Sequence, residues 1–352
     1  MRIAIDVREA CKQRRTGKGQ WVYGLMRELM NRGVSLIAYT DVPLPSVLQG
    51  WNVRTVEFGR TGWRWHLAVA RRLRRKRDAD VYVSPTSFIV PALLKGAFPV
   101  VPVVHDLIAF KDRTHERRAT FIERLTLGRA VRGASHICTV SMATKRDLLA
   151  RFPNLDPHRV TCVFAGPLRA TPPPHAPDGR TILCIGTLSP RKNQKRLVEA
   201  YARLPQALRE QYRLLLVGGR GWKDAEILEA ASKIPGVEWR DYVQEEEYEA
   251  LLRSCTLFAL PSLYEGFGMQ LLDALQRGIP ILTSANGSLR EVCGNAAHYV
   301  DPLDSASIAE GLRLLLTRDR LRFDLRQRAL VQAHTFSWSR TADLLLEALQ
   351  KA

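Results

Sequence analysis

The feature that most constrains the fold is a proline-rich stretch near the middle of the chain. Residues 166–179 contain five prolines and two glycines, which exclude a helix or a central strand. On each side of this stretch, short runs rich in Val and Ile alternate with longer amphipathic runs. Strands that alternate with helices indicate βαβ units and parallel sheets. The 352-residue chain is therefore predicted to be an α/β protein with two domains joined by a linker.

The pattern predicts two Rossmann-like parallel-sheet domains that face each other across a cleft. We place the first domain at residues 1–165, the linker at 166–180, the second domain at 181–335, and a C-terminal helix that could cross back to the first domain at 336–352. The predicted strands are residues 2–7, 34–39, 81–84, 100–104, 135–140, 159–164, 181–186, 213–218, 237–243, 256–260 and 279–283. The predicted helices are residues 19–31, 63–77, 115–131, 144–152, 193–204, 224–233, 245–253, 268–277 and most of 305–350.

The charge is concentrated in the first half of the chain. Residues 1–170 carry 30 basic and 13 acidic side chains, whereas residues 171–352 carry 23 and 22. This asymmetry predicts a polyanionic partner for the first half: nucleic acid, an anionic membrane surface or a phosphorylated substrate. The N-terminus lacks the features of a signal peptide, and the six scattered cysteines show no Cys-x-x-Cys pair. A reducing cytoplasm fits these observations.

The segment Gly-Thr-Leu-Ser-Pro-Arg-Lys-Asn at residues 186–193 joins a predicted strand to a predicted helix. Ligands of open parallel sheets bind beyond the carboxyl ends of the strands. Arg191 and Lys192 would lie there, exposed on a loop and beside the positive end of a helix, as a diphosphate site requires. The alternative interpretation is a solvated basic turn.

A second segment, residues 261–273, also runs from a predicted strand through a glycine-flanked turn into a helix. Gly266 and Gly268 would let backbone N–H groups approach a ligand closely. The seven residues between Glu265 and Asp273 would put both carboxylates on a similar helical face, where they could accept hydrogen bonds from sugar or ribose hydroxyls. The alternative is an N-terminal capping acid and an ordinary surface aspartate.

Together these segments resemble glycosyltransferase family 4, a group of retaining enzymes with the GT-B fold. The resemblance extends over nearly the whole chain and includes bacterial mannosyltransferase-like members. It rests on motifs in a compatible order, namely Asp6 with residues 16–19, residues 104–107, Ser141, residues 186–193, residues 216–218, residues 265–273, residues 284–286, Glu291 and residues 336–338.

The resemblance implies a role for each matching residue of the second domain. Arg191 and Lys192 would neutralise the donor diphosphate, beside Gly186 and Thr187 of the same loop. Glu265 would hold the transferred sugar. The remaining donor contacts implied are the amides of Gly266, Phe267 and Gly268, the ribose-binding Asp273, and the backbone near Val243 for the base.

The resemblance also implies roles in the first domain. Gly17 and Gly19 would let the first loop approach the phosphates or the acceptor, and His105 would contact the sugar near the reacting carbon. A structural histidine at a strand end is the alternative for His105. Fixed cations at the leaving group act as a metal would elsewhere, and we expect no Asp-x-Asp metal motif in the first half. Neither a metal ion nor a cofactor is therefore expected beyond the co-substrate, GDP-mannose or a UDP-sugar.

The chain departs from the family pattern at four positions. Asp273 stands where the family usually has Glu, so its carboxylate is one methylene further from the ribose. Thr187 replaces an Arg found in many members, which leaves fewer charges on the diphosphate. Asp241 stands where Gly is common, and Lys18 where a small or aliphatic residue is frequent.

The basic residues of the first half are grouped on predicted helices. In residues 60–77, Trp65, Val69 and Leu73 align at four-residue spacing among arginines, with Trp63 nearby. A second helix combines basic and apolar side chains: Arg117, Arg118, Arg124, Arg129 and Arg132 with Phe121, Ile122 and Leu125. Basic amphipathic helices with Trp suit an anionic bilayer surface. The alternative is that the apolar stripes face the domain core.

We therefore predict a cytoplasmic hexosyltransferase, peripheral at the inner face of the cell membrane. It would transfer a hexose, with mannose as first candidate, from a nucleotide diphosphate sugar to a lipid-linked or polysaccharide acceptor. The first alternative is a soluble transferase or phosphorylase that acts on small sugars. The second is a basic nucleic-acid-binding protein, which the pI of about 10.1 suggests. Against it, the sequence has no helix-turn-helix, zinc-finger or RNP-type motif.

Overall fold

The computed structural model describes residues 1–111, 117–169 and 172–352, and only the backbone of 117–119. These residues form two compact units. Unit 1 contains Met1–Leu168 and Ser337–Ala352, and unit 2 contains Arg169–Phe336. Each unit has one parallel sheet with helices in the connections between strands, which confirms the predicted α/β fold class.

The sheet of unit 1 has seven strands in the order β3-β2-β1-β4-β5-β6-β7. Its strands are β1 (Arg2–Asp6), β2 (Ser35–Thr40), β3 (Val53–Glu57), β4 (Val81–Ser84), β5 (Val100–Val104), β6 (Ile137–Thr139) and β7 (Val160–Cys162). Its first six helices are α1 (Gly17–Asn31), α2 (Gly62–Lys76), α3 (Ile89–Leu94), α4 (Ile108–Lys111), α5 (Arg117–Gly133) and α6 (Met142–Arg151).

The sheet of unit 2 has six strands in the order β10-β9-β8-β11-β12-β13. Its strands are β8 (Thr181–Ile185), β9 (Arg213–Val217), β10 (Val237–Arg240), β11 (Leu257–Leu260), β12 (Ile281–Thr283) and β13 (His298–Tyr299). Its helices are α7 (Gln194–Ala202), α8 (Gln206–Gln211), α9 (Ala225–Lys233), α10 (Glu245–Ser254), α11 (Met269–Gln276), α12 (Leu289–Cys293), α13 (Ser305–Thr317) and α14 (Asp319–Ala333). A last helix, α15 (Trp338–Gln350), belongs to unit 1.

Trp338 anchors α15 to unit 1. Its indole N–H donates to the carbonyl of Pro167 at 2.7 Å. The ring lies against two glycines: a Cβ atom added at Gly24 would be 2.2 Å from the ring, and one added at Gly166 would be 2.6 Å from it. Arg32, which follows α1, adds an ion pair with Asp343 on α15 at 2.5 Å. The last helix therefore completes the packing of the first unit.

The apolar stripe of α2 faces the core of unit 1. Trp65 is fully buried, and Val69 and Leu73 join it in one cluster with Tyr82 of β4. The indole N–H of Trp65 donates to the carbonyl of Thr40 at 3.1 Å. The expectation that this stripe faces a membrane is therefore wrong, because the sheet needs these side chains to cover its own surface.

Candidate functional site

The loop between β8 and α7 begins at Gly186 and carries two cations. A Cβ atom at Gly186 would lie 3.1 Å from Cε of Lys192, so this glycine leaves room for the lysine side chain. Pro190–Lys192 forms a single 3-10 turn, and Asn193 ends it with a left-handed φ of 63°. The side-chain amide of Asn193 donates to the carbonyls of Pro261 at 2.9 Å and Pro302 at 2.7 Å, which fixes the loop in place.

The loop after β11 brings Glu265 onto both cations. One carboxylate oxygen of Glu265 lies 2.6 Å from Nη1 of Arg191, and the other lies 2.7 Å from Nζ of Lys192. The hydroxyl of Ser262 donates to the carboxylate at 2.8 Å. Because β8 and β11 are neighbouring parallel strands, their carboxyl ends place the two predicted segments side by side.

The position of Lys192 on a loop predicts that its side chain is exposed. This prediction is wrong, because Lys192 is buried. Only 6% of its side chain is accessible, and 8% of that of Glu265. Burial lowers the pKa of Lys192, and the charge of Glu265 opposes this effect. Burial alone would raise the pKa of Glu265, but Arg191 and Lys192 lower it to about 2. The site is therefore a buried ion cluster, in which the carboxylate holds the two cations in fixed positions.

The turn between Glu265 and α11 is built to a defined shape. Gly268 precedes the helix with a φ of 93°, a left-handed conformation that favours glycine. Phe267 is buried edge-on against Phe336, with ring centroids 5.5 Å apart. The hydroxyl of Ser288 donates to the carbonyls of Glu265 at 3.1 Å and Phe267 at 2.8 Å. Because these carbonyls are bound, the turn holds a single geometry.

Asp273 lies in the middle of α11, whereas Glu265 lies outside the helix, which begins at Met269. The helical-face argument that related the two carboxylates is therefore wrong. Asp273 is 3% exposed and accepts a hydrogen bond from the hydroxyl of Tyr248 at 2.6 Å. Tyr248 was missed because it lies on another helix and has no distinguishing sequence context.

The ends of β9 and β10 complete the carboxyl edge of the unit 2 sheet. Gly218 follows β9, and a Cβ atom there would be 2.4 Å from the carbonyl oxygen of Gly186. β10 ends at Arg240, so Val243 is half-buried in the following loop rather than in a strand. Thr187 is exposed next to Gly186, and the Asp241 side chain accepts from the amide of Tyr242 at 2.7 Å.

In unit 1, Gly17 and Gly19 lie in the first turn of α1 rather than in a loop. A Cβ atom at Gly17 meets nothing within 4 Å, whereas one at Gly19 would be 2.6 Å from the carbonyl oxygen of Glu9. Gly19 is therefore required for the close approach of α1 to the backbone of Glu9, and Gly17 leaves open space beside the start of α1.

His105 follows β5 and is held in one orientation. Its Nε2 lies 2.7 Å from the carbonyl of Pro85, so Nε2 carries the proton and donates to it. The ring packs edge-on against Trp21, with centroids 5.4 Å apart. Burial lowers the pKa of His105 to about 3, with a further contribution from Lys18. The imidazole is therefore neutral, and a strongly basic role does not suit it.

Glu123 on α5 is a titratable group that the sequence did not single out. Burial raises its pKa to about 7, an effect that Lys18 opposes and Asp106 reinforces. These neighbours come from the segments after β1 and β5, so the carboxyl lies near the end of β5, the strand that His105 follows. The sequence showed Glu123 only as one acid on a basic helix.

The expectation that the first half has no Asp-x-Asp motif is wrong, because residues 78–80 form such a triplet. The triplet lies away from the carboxyl ends of the strands. It precedes β4, where Asp78 pairs with Arg72 at 2.6 Å and also with Arg54. Asp80 accepts from the backbone amide of Arg2 at 2.7 Å. These carboxylates therefore tie α2 and the ends of two strands together.

Three exposed apolar side chains of unit 1 lie close together in sequence on α5. Phe121, Ile122 and Leu125 are 69%, 45% and 53% exposed and form what we term the α5 patch. Arg124, Arg129 and Arg132 on the same helix are also exposed, whereas the side chains of Arg117 and Arg118 lie outside the described residues. Trp63 on α2 is 66% exposed. Within the described ranges, no helix combines the length and apolarity needed to cross a bilayer.

The fold is that of the GT-B glycosyltransferases, in which two parallel-sheet domains carry sites at strand ends. A solved structure of the Anabaena protein Alr3699/HepE with UDP and glucose superposes with a TM-score of 0.78 at 16% identity and covers 100% of both chains. WaaG, described as a glycosyltransferase involved in lipopolysaccharide biosynthesis, gives a TM-score of 0.71 at 18% identity, over 99% of this chain and 98% of its own. At these identities the likeness shows the fold alone.

Two family descriptions match consecutive parts of the chain. "Glycosyltransferase Family 4" matches residues 16–167, and "Glycosyl transferases group 1" matches residues 171–332. The protein belongs to glycosyltransferase family 4.

Several relatives are described as mannosyltransferases, and others as D-inositol 3-phosphate glycosyltransferases. O-antigen chain mannosyltransferase B of Escherichia coli is 38% identical over 159 residues, which is 44% of this chain and 42% of that protein. The MMP alpha-(1->4)-mannosyltransferase of Mycolicibacterium hassiacum is 28% identical over 339 residues, 89% of this chain and 80% of its own. The match to the first of these, and to the serotype-specific mannosyltransferases WbdA of Escherichia coli, spans less than half the length of each relative.

Proposed function

We propose that the protein is a retaining, metal-independent hexosyltransferase. It transfers a hexose from a nucleotide diphosphate sugar, with GDP-mannose as first candidate donor and a UDP-sugar as second, to a lipid-linked or polysaccharide acceptor. No cofactor takes part beyond this co-substrate. The mannosyltransferase relatives support the choice of sugar. The observation that carries the proposal is the cluster of Arg191, Lys192 and Glu265 at the carboxyl edge of the unit 2 sheet.

The cluster suits the charge that develops when a sugar–phosphate bond breaks. The bond between the anomeric carbon and the phosphate oxygen breaks, its electron pair stays on the diphosphate, and positive charge develops on the sugar. Arg191 and Lys192 stabilise the departing diphosphate, since preorganised cations act on charge as it forms. Glu265, ionised because its pKa is about 2, holds the sugar hydroxyls and lies close to the positive ring.

The acceptor hydroxyl attacks the anomeric carbon from the leaving-group face, which retains the configuration. A new carbon–oxygen bond forms, and the hydroxyl proton passes to the departing phosphate oxygen, so no covalent nucleophile is needed. His105 orients the sugar: because Nε2–H is used on Pro85, its Nδ1 lone pair is the atom that can accept a sugar hydroxyl. Gly17 leaves space at the start of α1 for the phosphates or the acceptor.

The donor is identified first by a thermal-shift screen against UDP-, GDP-, ADP- and dTDP-sugars, since a ligand of the folded state raises the melting temperature. Product configuration is then read by NMR.

Glu265→Gln should reduce kcat strongly, whereas Asp273→Asn should mainly raise the KM for the donor. A product of inverted configuration, or Glu265→Gln with normal kinetics and a lower melting temperature, would contradict the assignment. Release of sugar phosphates from small glycans in the presence of inorganic phosphate would support the phosphorylase alternative.

We further propose that unit 1 docks on the inner, anionic face of the cell membrane from the cytoplasm. The excess of 17 positive charges in residues 1–170 and the exposed α5 patch support this. Each basic residue near an anionic surface contributes about 1 kcal/mol, and exposed aromatic side chains add apolar insertion. The patch replaces the buried α2 stripe as the apolar contact. Trp63, Arg71 and Arg75 of α2 are further exposed aromatic and basic side chains of the same unit.

Co-sedimentation with vesicles of increasing anionic lipid content, at low and high salt, tests the docking. Phe121→Ser with Leu125→Ser should release the protein from vesicles. The matched control is Phe323→Ser with Val331→Ser, which removes two apolar side chains that are also more than half exposed, from α14 of unit 2. Wild type that fails to sediment at low salt would overturn the proposal, and steep salt-dependent binding to DNA instead would favour the nucleic-acid alternative.

A further inference from the structure

Helices α10 and α11 are joined by two side-chain bonds next to Asp273. The hydroxyl of Tyr248 donates to Oδ2 of Asp273 at 2.6 Å. One residue further along α10, Glu249 pairs with Nη2 of Arg277 at 2.5 Å. Nη1 of Arg277 returns to α11 and donates to the backbone carbonyl of Asp273 at 2.6 Å. The aspartate is therefore held through both its side chain and its backbone.

These groups are buried, so each bond constrains its partner. Asp273 and Arg277 are 3% exposed and Glu249 is 5% exposed. A buried charge that loses a partner cannot be compensated by water. Burial, together with the charge of Asp273, raises the pKa of Tyr248 well above its ordinary value. Tyr248 is therefore a protonated hydroxyl donor at neutral pH.

We propose that Tyr248 is a positioning residue that aims the Asp273 carboxylate at the ribose of the donor nucleotide. This inference rests on the proposed transferase function. An aspartate has a short side chain with only two torsions, so a ribose contact depends on the rotation that its carboxylate adopts. The Tyr248 hydroxyl fixes that rotation through Oδ2, and Arg277 fixes the backbone that carries it.

The test is ribose recognition, which a purely structural tyrosine would not affect. The probes are GDP, UDP and ADP, each compared with its 2′,3′-dideoxy form by calorimetry, and the tightest-binding base is used throughout. Wild type should bind the ribose form about tenfold tighter, as expected for a hydrogen bond to a charged group. Tyr248→Phe should remove most of this ratio and raise the donor KM with little change in kcat.

The control variant is Tyr201→Phe. Tyr201 lies on α7 and is also buried. Its hydroxyl donates to the carbonyl of Tyr212 at 2.7 Å. This variant loses a comparable bond and should be destabilised, but it should keep the full ribose preference. Comparing the two variants separates a loss of stability from a loss of the Asp273 carboxylate's orientation toward the ribose.

Three results decide whether Tyr248 is a positioning residue. If Tyr248→Phe keeps the wild-type ratio of ribose to dideoxy affinity while its melting temperature falls, Tyr248 is structural and the inference is overturned. If wild type binds a nucleoside diphosphate without preferring ribose, Asp273 does not contact the ribose; the inference is then wrong while the transferase proposal stands. If wild type binds none of the three diphosphates, the proposed function fails and the inference fails with it.

Discussion

Glu265 accepts a hydrogen bond from the ammonium of Lys192 at 2.7 Å although the two residues are far apart in the sequence and both side chains are more than nine-tenths buried. The cation proposed for the diphosphate is thus neutralised by the carboxylate proposed for the sugar. Each group supplies the charge that the other needs in order to stay buried.

Replacing Lys192 tests the diphosphate assignment. Lys192→Met keeps the length of the side chain and removes its charge, so kcat/KM should fall about a hundredfold or more. Stability should also fall, because Glu265 loses one of its two cationic partners and keeps only Arg191. Kinetics are measured where circular dichroism shows the variant folded. Lys195→Met, which removes an exposed lysine bound to Glu226, is the control and should behave as wild type. Normal turnover in folded Lys192→Met would refute the assignment.

Chelation tests the proposed independence from metal ions. Arg191 and Lys192 already supply positive charge at the leaving group, so transfer rates measured with and without EDTA should agree. Addition of Mg²⁺ or Mn²⁺ should also leave kcat/KM unchanged. Activity that EDTA abolishes and a divalent cation restores would show that these two side chains do not suffice.

The raised pKa of Glu123 predicts a pH-dependent stability. A carboxyl whose pKa rises from 4.5 to about 7 on folding stays neutral in the folded chain after it has ionised in the unfolded chain. Its stabilising contribution is therefore full below pH 4.5 and is lost as the pH rises through about 7. Glu123→Gln, which imitates the neutral acid, should melt increasingly above wild type from pH 4.5 to 7 and then by a constant margin.

The control for this measurement is Glu57→Gln, which changes an exposed carboxylate on β3. Its melting temperature should follow that of wild type across the same range. A Glu123→Gln curve parallel to wild type at every pH would show that the carboxyl does not titrate near 7.

Gly24→Ala distinguishes helix propensity from packing. Alanine in place of glycine inside a helix stabilises by about 0.5–1 kcal/mol when space allows. At Gly24 the new methyl would lie 2.2 Å from the Trp338 ring, and overpacking of this kind costs about 1–3 kcal/mol. We expect a lower melting temperature. Gly59→Ala, where nothing lies within 4 Å, is the control and should not destabilise. A stabilised Gly24→Ala would mean that Trp338 is free to move aside.

The sequence predicted the central strands well because they are continuous apolar runs. Strands β4 and β5 have the predicted bounds, and both are buried along their whole length. The missed strands β3 and β13 lie at the edges of their sheets. β3 reads Val-Arg-Thr-Val-Glu and is largely exposed, so its composition does not distinguish it from a loop. An edge strand is specified by the neighbour it pairs with, and that neighbour is distant in sequence.

The candidate site divides in the same way. The segments at Arg191 and Glu265 could be predicted because glycines and charges at strand ends are visible locally. The burial of Lys192 could not, because it depends on a carboxylate brought in by a different strand. Tyr248 and Glu123 were missed for the same reason. In the sequence each is a single polar residue on a helix, and only the fold brings Asp273 beside Tyr248, and Lys18 and Asp106 near Glu123.

The position of Trp338 in the chain has a consequence for biosynthesis. Unit 2 is a continuous stretch, Arg169–Phe336, whereas unit 1 takes its last helix from the opposite end of the sequence. On the ribosome, the slot formed by Gly24 and Gly166 is translated long before the indole that fills it. The unit that begins first is thus the one that finishes last, and until Ser337–Ala352 emerges from the exit tunnel it presents an open apolar slot that a chaperone could protect.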